Sequence, residues 1–361
     1  MDESTVRERL RTVEDPELGD DIVSLGLVND VTVSDDGSVT IDLALGAPYS
    51  PTETQIAGKV REVLAEDGVD PELSASIAGR DDTNGDIVLP NVKNVIAVAS
   101  GKGGVGKSTL SVNLAAGLAD RGARVGLFDA DIYGPNVPRM VDADEPPMAT
   151  EDETLIPPEK YGVKLMSMAF LLGEDDPVIW RGPMVHKVIT QLTEDVEWGH
   201  LDYLVVDLPP GTGDTQLTML QTMPVTGSVI VTTPQDVALD DARKGLQMFA
   251  RHDTVVLGIA ENMATFVCPD CGGEHDIFGA GGGSAFAESH DLPFLASIPL
   301  DPQVREGGDE GKPTVLDDDS ETGEAFRELT ASVANNTGIV HRRAVSESVQ
   351  DRTPPAETDH Q

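Results

Sequence analysis

From about residue 91 onward, the chain alternates short apolar runs with segments of helical periodicity. The run 95–99 (VIAVA) is continuous, as expected for a parallel strand that is buried on both faces. Leu110, Leu114 and Leu118 then recur at helical spacing, and Gly122 is a suitable helix stop. Further core strands are expected at 124–128, 203–206, 228–232, 255–260 and 294–298. Repeated strand-helix-strand units with short turns predict an α/β fold with a doubly wound, mostly parallel sheet.

Residues 1–80 have a pattern of their own, which predicts a small separate α/β domain. Val6, Leu10 and Val13 suit a first amphipathic helix, and apolar residues at 56, 60 and 63 fall on one face of a second. Between these helices, apolar positions 27, 31 and 33 share one parity, and segment 39–45 is the expected partner strand.

Polar segments bound these two domains. Residues 81–92 interrupt the periodicity and are predicted to form a linker, so that the second domain covers 93–339. Residues 340–361 contain Ser, Asp, Glu, Thr and Pro without apolar periodicity, and they predict a polar, disordered C-terminal tail.

Composition narrows the range of partners. The chain has 361 residues, with 64 Asp and Glu against 25 Lys and Arg, a formal net charge of -39. Such a surface repels nucleic acid and anionic membranes, so neither is an expected partner. Because the acidic residues are spread along the whole chain, adaptation to a salt-rich cytoplasm, as in a halophile, is favoured over a dedicated basic partner. No apolar run reaches the length of a membrane span, and the acidic N-terminus lacks a signal-peptide core, so the expected location is the cytoplasm.

The loop between the first core strand and its helix fits the phosphate-binding pattern G-x-x-x-x-G-K-[ST]. Glycines let successive N-H groups face the phosphates, Lys107 would neutralise their oxygens, and the Ser108 hydroxyl can bind Mg²⁺. The following helix N-terminus also favours an anion. The sequence therefore predicts an ATP-binding loop made of Gly101, Lys102, Gly103, Gly104, Val105, Gly106, Lys107, Ser108 and Thr109.

Carboxylates follow the next two core strands, at Asp129-Ala130-Asp131 and at Asp207. Ligands of such sheets bind beyond the carboxyl ends of the strands. Nucleotide hydrolysis needs a carboxylate near Mg²⁺ and a group that orients the attacking water, and neighbouring strands can supply both. Asn262 is at the end of another predicted strand.

The chain has two cysteines, Cys268 and Cys271, spaced as Cys-x-x-Cys. Such a turn can bind one side of a metal, but zinc and iron-sulfur clusters usually take four protein ligands, which a symmetric dimer could supply. Three alternatives remain open at this point: a zinc site shared across a dimer, a redox dithiol, and a mononuclear site within one chain completed by His275 and Glu274.

A set of strings gives a specific family resemblance. The strings SGKGGVGKST, DADIYGPN, DLPPGTGD and TTPQ, followed by Cys-Pro-x-Cys, closely resemble the Mrp/ApbC family of iron-sulfur cluster carrier ATPases. That family belongs to the ATPases with a deviant phosphate loop, which include the nitrogenase iron protein and the cell-division and partition ATPases. The match extends through 180–184 (WRGPM) and 298–302 (IPLDP), and covers about residues 91 to 335.

The resemblance implies roles for individual residues in a homodimeric ATPase that uses ATP and Mg²⁺. Lys107 matches the phosphate lysine, and Lys102 matches a signature lysine that reaches the nucleotide of the other subunit. The remaining matches are Ser108 and Asp207 at Mg²⁺, Asp131 at the attacking water and Asn262 at the adenine. Catalysis would thus rest on Lys102, Lys107 and Asp131.

The same resemblance implies that Cys268 and Cys271 of both subunits hold a bridging [4Fe-4S] cluster, which is passed to apo iron-sulfur proteins after loading from an assembly scaffold. Two other activities remain as alternatives. One is a positioning ATPase of the partition or cell-division type, and the other is an ATP-dependent electron donor that resembles the nitrogenase iron protein.

The N-terminal region resembles the small iron-sulfur assembly domain that is fused to some members of the family. The resemblance rests on 15–18 (DPEL) and 21–28 (DIVSLGLV). Relatives of that domain often carry a cysteine in the loop after the second strand, whereas this chain has Gly46-Ala47-Pro48-Tyr49-Ser50. Without a thiolate there, the expected role of the domain is to dock partners and not to bind the cluster.

Overall fold

The protein divides into two compact units, one of which is built from both ends of the chain. The structure, a computed structural model, describes residues 1–77, 88–132, 134–143, 145–152, 154–171, 189–268, 271 and 273–352. Unit 1 comprises Met1–Gly85 with Ala334–Gln361, and unit 2 comprises Asp86–Val333. Most of the predicted linker, and the family string at 180–184, lie outside the described residues.

Unit 1 begins with a small sheet and two helices: α1 (Glu3–Leu10), β1 (Val28–Val33), β2 (Val39–Leu43), α2 (Pro51–Ala65) and β3 (Glu72–Ala75). β1 pairs antiparallel with β2, and β3 pairs parallel with β2. α2 begins where Ser50 accepts a hydrogen bond from the Glu53 N-H and proline occupies the first helical position. Ser50 is thus a helix cap in the loop where relatives often have a cysteine.

A long C-terminal helix, α9 (Glu321–Arg352), supplies the rest of unit 1, and the division between the units falls within it. The predicted disorder from residue 340 is therefore wrong for 340–352, which are helical. The residues after 352 lie outside the described part of the chain. The prediction failed because the part of this helix after Ala334 buries polar and charged side chains, Thr337 and Arg342 among them, so no apolar stripe marks its buried face there.

Arg342 is the most unusual buried residue of unit 1, since its side chain is 0% exposed and faces three carboxylates. Its Nε lies 2.6 Å from Asp15 Oδ2, one terminal nitrogen lies 3.2 Å from Glu53 Oε1, and the other contacts Glu17. Asn335 of the same helix accepts a hydrogen bond from the Thr52 N-H at the start of α2. The C-terminal helix is thus an integral part of unit 1.

Glu53 also fixes the loop before α2. Its two carboxylate oxygens accept hydrogen bonds from the N-H groups of Gly46 and Ala47, at 3.2 and 2.9 Å. Burial raises the pKa of Glu53, although the hydrogen bond from Ala47 and the positive charge of Arg342 oppose that rise.

Unit 2 contains alternating strands and helices among its described residues. In chain order the elements are β4 (Val92–Ser100), α3 (Lys107–Asp120), β5 (Val125–Asp129), α4 (Val137–Met140), β6 (Met148–Ala149), β7 (Leu155–Ile156), β8 (Glu159–Lys160), β9 (Val163–Ser167), β10 (Leu201–Asp207), α5 (Asp214–Thr222), β11 (Gly227–Thr232), α6 (Asp236–Arg251), β12 (Val256–Glu261), β13 (Phe266–Val267), β14 (Glu274–His275), α7 (Gly282–Ser289), β15 (Phe294–Ser297), α8 (Pro302–Glu310) and then α9. Eight of these strands form one sheet in the order β15-β12-β11-β4-β10-β5-β9-β8. All neighbouring strands of this sheet are parallel except β8 and β9, which are antiparallel.

The predicted parallel sheet is confirmed, and the continuous apolar runs account for it. Every residue of β5, β10 and β11 is buried, as the absence of a polar face in these runs requires. The order of strands reverses at β4, with β10 on one side and β11 on the other. Such a switch point places a crevice at the carboxyl ends of the strands. Among the described residues, no helix has both the length and the apolar character needed to cross a bilayer.

One charged cluster lies at the start of the central strands. Asp202 of β10 accepts two hydrogen bonds from the guanidinium of Arg124, at 2.9 and 3.1 Å, and lies 3.0 Å from the Lys93 ammonium. Burial would raise the pKa of Asp202, but the hydrogen bonds from Arg124 and the charge of Lys93 outweigh burial and lower it to about 2.

Replacing Asp202 should therefore destabilise the protein in a pH-dependent manner. Since the folded pKa lies below the ordinary value of 3.8, the carboxylate stabilises the folded state fully above pH 4 and loses that effect as the pH falls toward 2. We expect Asp202→Asn to lower the free energy of unfolding by about 2 kcal/mol at neutral pH, with a shrinking difference in urea titrations below pH 4. Asp240→Asn is the control, because Asp240 is an exposed partner of Arg243. A difference for Asp202→Asn that is the same at pH 7 and pH 3 would contradict the assignment.

Candidate functional site

The phosphate-binding loop joins β4 to α3 at the switch point of the sheet. Gly106 immediately precedes α3 in the left-handed conformation (φ 84°), and a Cβ at that position would lie 2.1 Å from Nδ2 of the Asn262 side chain. At Gly101 a Cβ would lie 2.2 Å from the backbone carbonyl carbon of Asp241. Side chains are therefore excluded at both positions, which keeps the backbone N-H groups and the α3 N-terminus open to an anion.

Lys107, Ser108 and Asp207 form one cluster at the start of α3. Lys107 Nζ lies 2.7 Å from Asp207 Oδ1, and the Ser108 hydroxyl donates to Asp207 Oδ2 at 2.6 Å. Lys107 and Asp207 are both buried, at 6% and 0% exposure. The structure thus brings together the lysine and the two oxygen ligands that the sequence assigned to phosphate and Mg²⁺. Carboxylate and hydroxyl oxygens are donors that suit Mg²⁺.

Asp129 lies beside Asp207, because the two residues are register partners at the ends of β5 and β10. Burial, and then the negative charge of Asp207, raises the pKa of Asp129 to about 7, against hydrogen bonds from Ser167, Val137 and Asp131 that lower it.

Asp131 lies two residues beyond Asp129, at the start of the segment that leads to α4. It is half-buried, its N-H donates to Asp129 Oδ1 at 3.2 Å, and its own carboxylate accepts from the Gly134 N-H at 3.2 Å. The carboxylate assigned to the attacking water thus accepts a backbone hydrogen bond from Gly134, and the N-H of the same residue contacts Asp129, the register partner of Asp207.

Lys102 and Asn262 contact other parts of the site. Lys102 is half-buried, and its Nζ lies 3.4 Å from the Gln235 side-chain oxygen just before α6. Asn262 follows β12, and its side-chain amide donates a hydrogen bond to the Val105 carbonyl at 2.9 Å. This contact ties the end of β12 to the phosphate-binding loop. The roles of Lys102 across a dimer and of Asn262 at the adenine stay predictions.

A cavity of about 260 Å³ opens beside Thr109, the last residue of the loop. Arg139 and Arg305 line it, together with Asn136 and Val304. Each guanidinium already has an acidic partner, because Arg139 lies 3.9 Å from Asp309, which also lines the cavity, and Arg305 lies 3.1 Å from Glu306.

Cys268 and Cys271 lie on a hairpin built by β13 and β14. Phe266 pairs with His275 in the antiparallel register, and the Cys268 N-H donates to the Gly273 carbonyl at 2.9 Å. Cys271 is exposed and Cys268 is half-buried. Across the described part of the chain, no group of three or more His, Cys, Asp or Glu side chains is arranged to hold a metal ion. The hairpin therefore offers two cysteine side chains, one exposed and one half-buried.

The sequence interpretation missed several residues of the site. Ser111, one helical turn after Ser108, places its hydroxyl 2.6 Å from Asp207 Oδ1. The spacing of three on α3 could have revealed it, because such residues share a helix face. Gln235 before α6 is the last residue of the TTPQ string that carries the family resemblance, although no role was assigned to it. Ser167 at the end of β9 carries no comparable signal, since it reaches the site through strand order alone.

Comparison with known proteins agrees with this geometry. Residues 91–334 match a family described as NUBPL iron-transfer P-loop NTPase, and residues 3–71 match a family described as iron-sulfur cluster assembly protein. A protein of Deinococcus radiodurans named iron-sulfur cluster carrier protein is 46% identical over 334 residues, which cover 91% of this chain and 94% of the relative.

Solved structures give the same picture of unit 2. A nucleotide-binding protein from Archaeoglobus fulgidus in complex with ADP is 40% identical, with a TM-score of 0.56 over 62% of this chain and 88% of that one. The cell division ATPase MinD of Pyrococcus furiosus, at 24% identity and a TM-score of 0.52 over 67% of this chain and 98% of that one, shares the fold. With a family match over residues 91–334 and a relative aligned over nearly its whole length, this chain belongs to the iron-transfer P-loop NTPase family of iron-sulfur cluster carriers.

Proposed function

We propose that this protein carries an iron-sulfur cluster to apoproteins under the control of ATP binding and hydrolysis. The observation that carries the proposal is that the two cysteines of the chain lie on an accessible hairpin of the same unit that holds a complete phosphate-binding loop. Relatives named as iron-sulfur cluster carriers, matched over almost the full length of the chain, support it.

Lys107, Ser108 and Asp207 would bind the phosphates and Mg²⁺ of ATP. The Ser108 hydroxyl and the Asp207 carboxylate, 2.6 Å apart, form an oxygen donor pair suited to Mg²⁺. When bound, Mg²⁺ neutralises charge on the phosphate oxygens. Lys107 would leave Asp207 for those oxygens, and the Asp207 carboxylate would then face the cation. Thr109 and the cavity beside it, with Arg139 and Arg305, would take the rest of the nucleotide, and Asn262 would lie at the adenine.

Hydrolysis would depend on two further residues. Asp131 would orient the attacking water, since its backbone is already tied to Asp129 beside the metal-binding carboxylate. Lys102 would act across a homodimer on the nucleotide of the other subunit. A cation supplied in this way stabilises phosphoryl transfer only when the dimer closes, which couples the chemistry to the dimer geometry.

The cargo would be a [4Fe-4S] cluster shared by two subunits. Such a cluster takes four thiolates, and each chain has only Cys268 and Cys271. A two-fold symmetric dimer brings the same surface of both subunits together, so two exposed hairpins would complete the set. A change in dimer geometry would then alter how tightly the cluster is held and when it passes to an apoprotein.

Metal analysis tests this assignment. The protein, purified without oxygen at high salt and reconstituted with iron and sulfide, should contain about two irons per chain. Light scattering should give a dimer, and the cluster should pass to an apo-acceptor that is supplied without iron. Cys268→Ser and Cys271→Ser should each abolish the visible absorption of the cluster, because the chain has no other thiolate to replace them.

The matched control is His275→Ala, which changes the third candidate ligand of the hairpin and should leave the cluster intact. Zinc without iron would overturn the proposal, and so would normal cluster assembly by Cys268→Ser. Reduction of the acceptor without transfer of iron would instead indicate an electron donor.

A further inference from the structure

Three residues at the ends of neighbouring strands form a row across the sheet, which begins at Asp207, the proposed Mg²⁺ ligand. Asp207 at the end of β10 is the register partner of Asp129 on β5, and Asp129 is in turn the register partner of Ser167 on β9. All three side chains are 0% exposed. Because parallel strands end at the same edge of a sheet, this row runs directly along the crevice where the nucleotide is expected.

The hydroxyl of Ser167 links two chain segments at this row. It donates to Asp129 Oδ2 at 2.9 Å and accepts from the Ala169 N-H at 3.1 Å. Ala169 belongs to the short 3₁₀ helix Met168–Leu171, which follows β9 directly. One hydroxyl thus connects a carboxylate of the site to the segment that leaves the neighbouring strand.

Asp129 in turn holds the segment that contains Asp131. Asp129 Oδ1 accepts from the Asp131 N-H at 3.2 Å, and Oδ2 accepts from the Val137 N-H at 3.1 Å in addition to the Ser167 hydroxyl. Two of its three donors are backbone groups at the two ends of segment 131–137. The third is the Ser167 hydroxyl, which shares Oδ2 with the Val137 N-H.

We propose that Ser167 is a positioning residue for ATP hydrolysis, which acts through Asp129 to place Asp131 and makes segments 131–137 and 168–171 respond to the nucleotide together. This inference rests on the proposed ATPase function. Beyond that function, it gives a role to Ser167 on β9, a strand that the sequence did not predict. It also couples a second chain segment, 168–171, to the nucleotide.

A purely local role for Ser167 gives different expectations. If its hydroxyl only caps the turn at Ala169, then Ser167→Ala costs some stability and leaves the kinetics of hydrolysis unchanged. If it positions Asp131, the loss falls on kcat, because the ground-state contacts of the nucleotide with Lys107 and Ser108 are intact.

The test compares Ser167→Ala and Ser167→Thr with the wild type in the full-length protein. Ser167→Ala should lower kcat for ATP by about tenfold, as expected for the loss of one positioning hydrogen bond, with KM within twofold of the wild type. Ser167→Thr keeps a hydroxyl for both hydrogen bonds and should restore most of the rate. Ser228→Ala is the matched control, because Ser228 is equally buried in the same sheet and its hydroxyl bonds only the Val255 carbonyl among the described contacts.

Hydrogen exchange with a non-hydrolysable ATP analogue gives a second readout that does not need turnover. In the wild type, the analogue should slow exchange in both 131–141 and 166–171, and in Ser167→Ala the response of 166–171 should disappear. A wild-type rate in Ser167→Ala, or a loss that appears in KM alone, would refute the inference. Analogue binding without any change at 166–171 in the wild type would also refute it and leave the proposed function standing. Failure of the wild type to bind the analogue at all would refute both.

Discussion

Lys107→Ala should weaken ATP binding by about 100-fold, which corresponds to about 3 kcal/mol. The Lys107 side chain is 6% exposed, and its Nζ lies 2.7 Å from Asp207 Oδ1 and 3.4 Å from the Ser108 hydroxyl. Without the lysine, Mg²⁺ alone would have to offset the charges of the phosphate oxygens and of Asp207, and buried groups of like charge repel strongly. Titration calorimetry with Mg²⁺ and ATP measures the change directly.

The chain contains a matched control for this experiment. Lys93 on β4 and Asp202 on β10 form a second lysine-aspartate pair, and Asp202 lies at the opposite end of β10 from Asp207. Lys93→Ala removes an equivalent charge far from the loop, and it should leave the dissociation constant for ATP unchanged. Binding by Lys107→Ala within threefold of the wild type would show that the nucleotide does not occupy this loop.

Arg342→Ala should destabilise unit 1 by about 3–5 kcal/mol, the usual cost of removing one partner from a buried ion pair. Asp15, Glu17 and Glu53 would lose their shared cation, and Asp15 and Glu53 have almost no access to water that could replace it. A loss of this size is a large fraction of the stability of a typical domain. Hydrogen exchange of peptides from residues 1–77 reports on the unit itself and should become much faster.

Arg343→Ala is the control for Arg342→Ala. The Arg343 side chain is exposed, and its replacement removes the same charge from the same helix. Arg342→Lys should give an intermediate loss, because an ammonium keeps the charge but cannot contact three carboxylates with a fixed planar fork. Exchange rates in Arg342→Ala that match those of Arg343→Ala would rule out a stabilising role for the buried cluster.

Sequence reasoning was most successful where one physical requirement dominated. The apolar run at 95–99 could only belong to a strand with two buried faces, and the strand-end carboxylates Asp129 and Asp207 followed from the rule that ligands bind beyond the carboxyl ends of parallel strands. The parallel sheet and the membership in the family of iron-sulfur cluster carriers are confirmed. The residue roles at the ATP and cluster sites stay predictions.

It failed where a feature depends on partners distant in sequence. β9 was not predicted, because Lys164 interrupts its apolar run and the strand is identified only by its pairing with β5. Ser167 is the last residue of β9, so without that strand nothing in the sequence marks it as part of the site. The helical segment after residue 340 was predicted to be a disordered tail because its buried face carries an arginine that is paired with carboxylates, and not a row of apolar residues. Burial of Arg342 becomes plausible only once Asp15 and Glu53 are known to face it.

The buried arginine of unit 1 also has a consequence for synthesis of the protein. Glu53 and Arg342 are separated by 289 positions, so a ribosome needs roughly 15 to 60 s between making the first and the second. Throughout that interval Arg342 is not available to the three carboxylates, while unit 2 is produced in full. Synthesis of unit 1 therefore begins before that of unit 2 and ends after it.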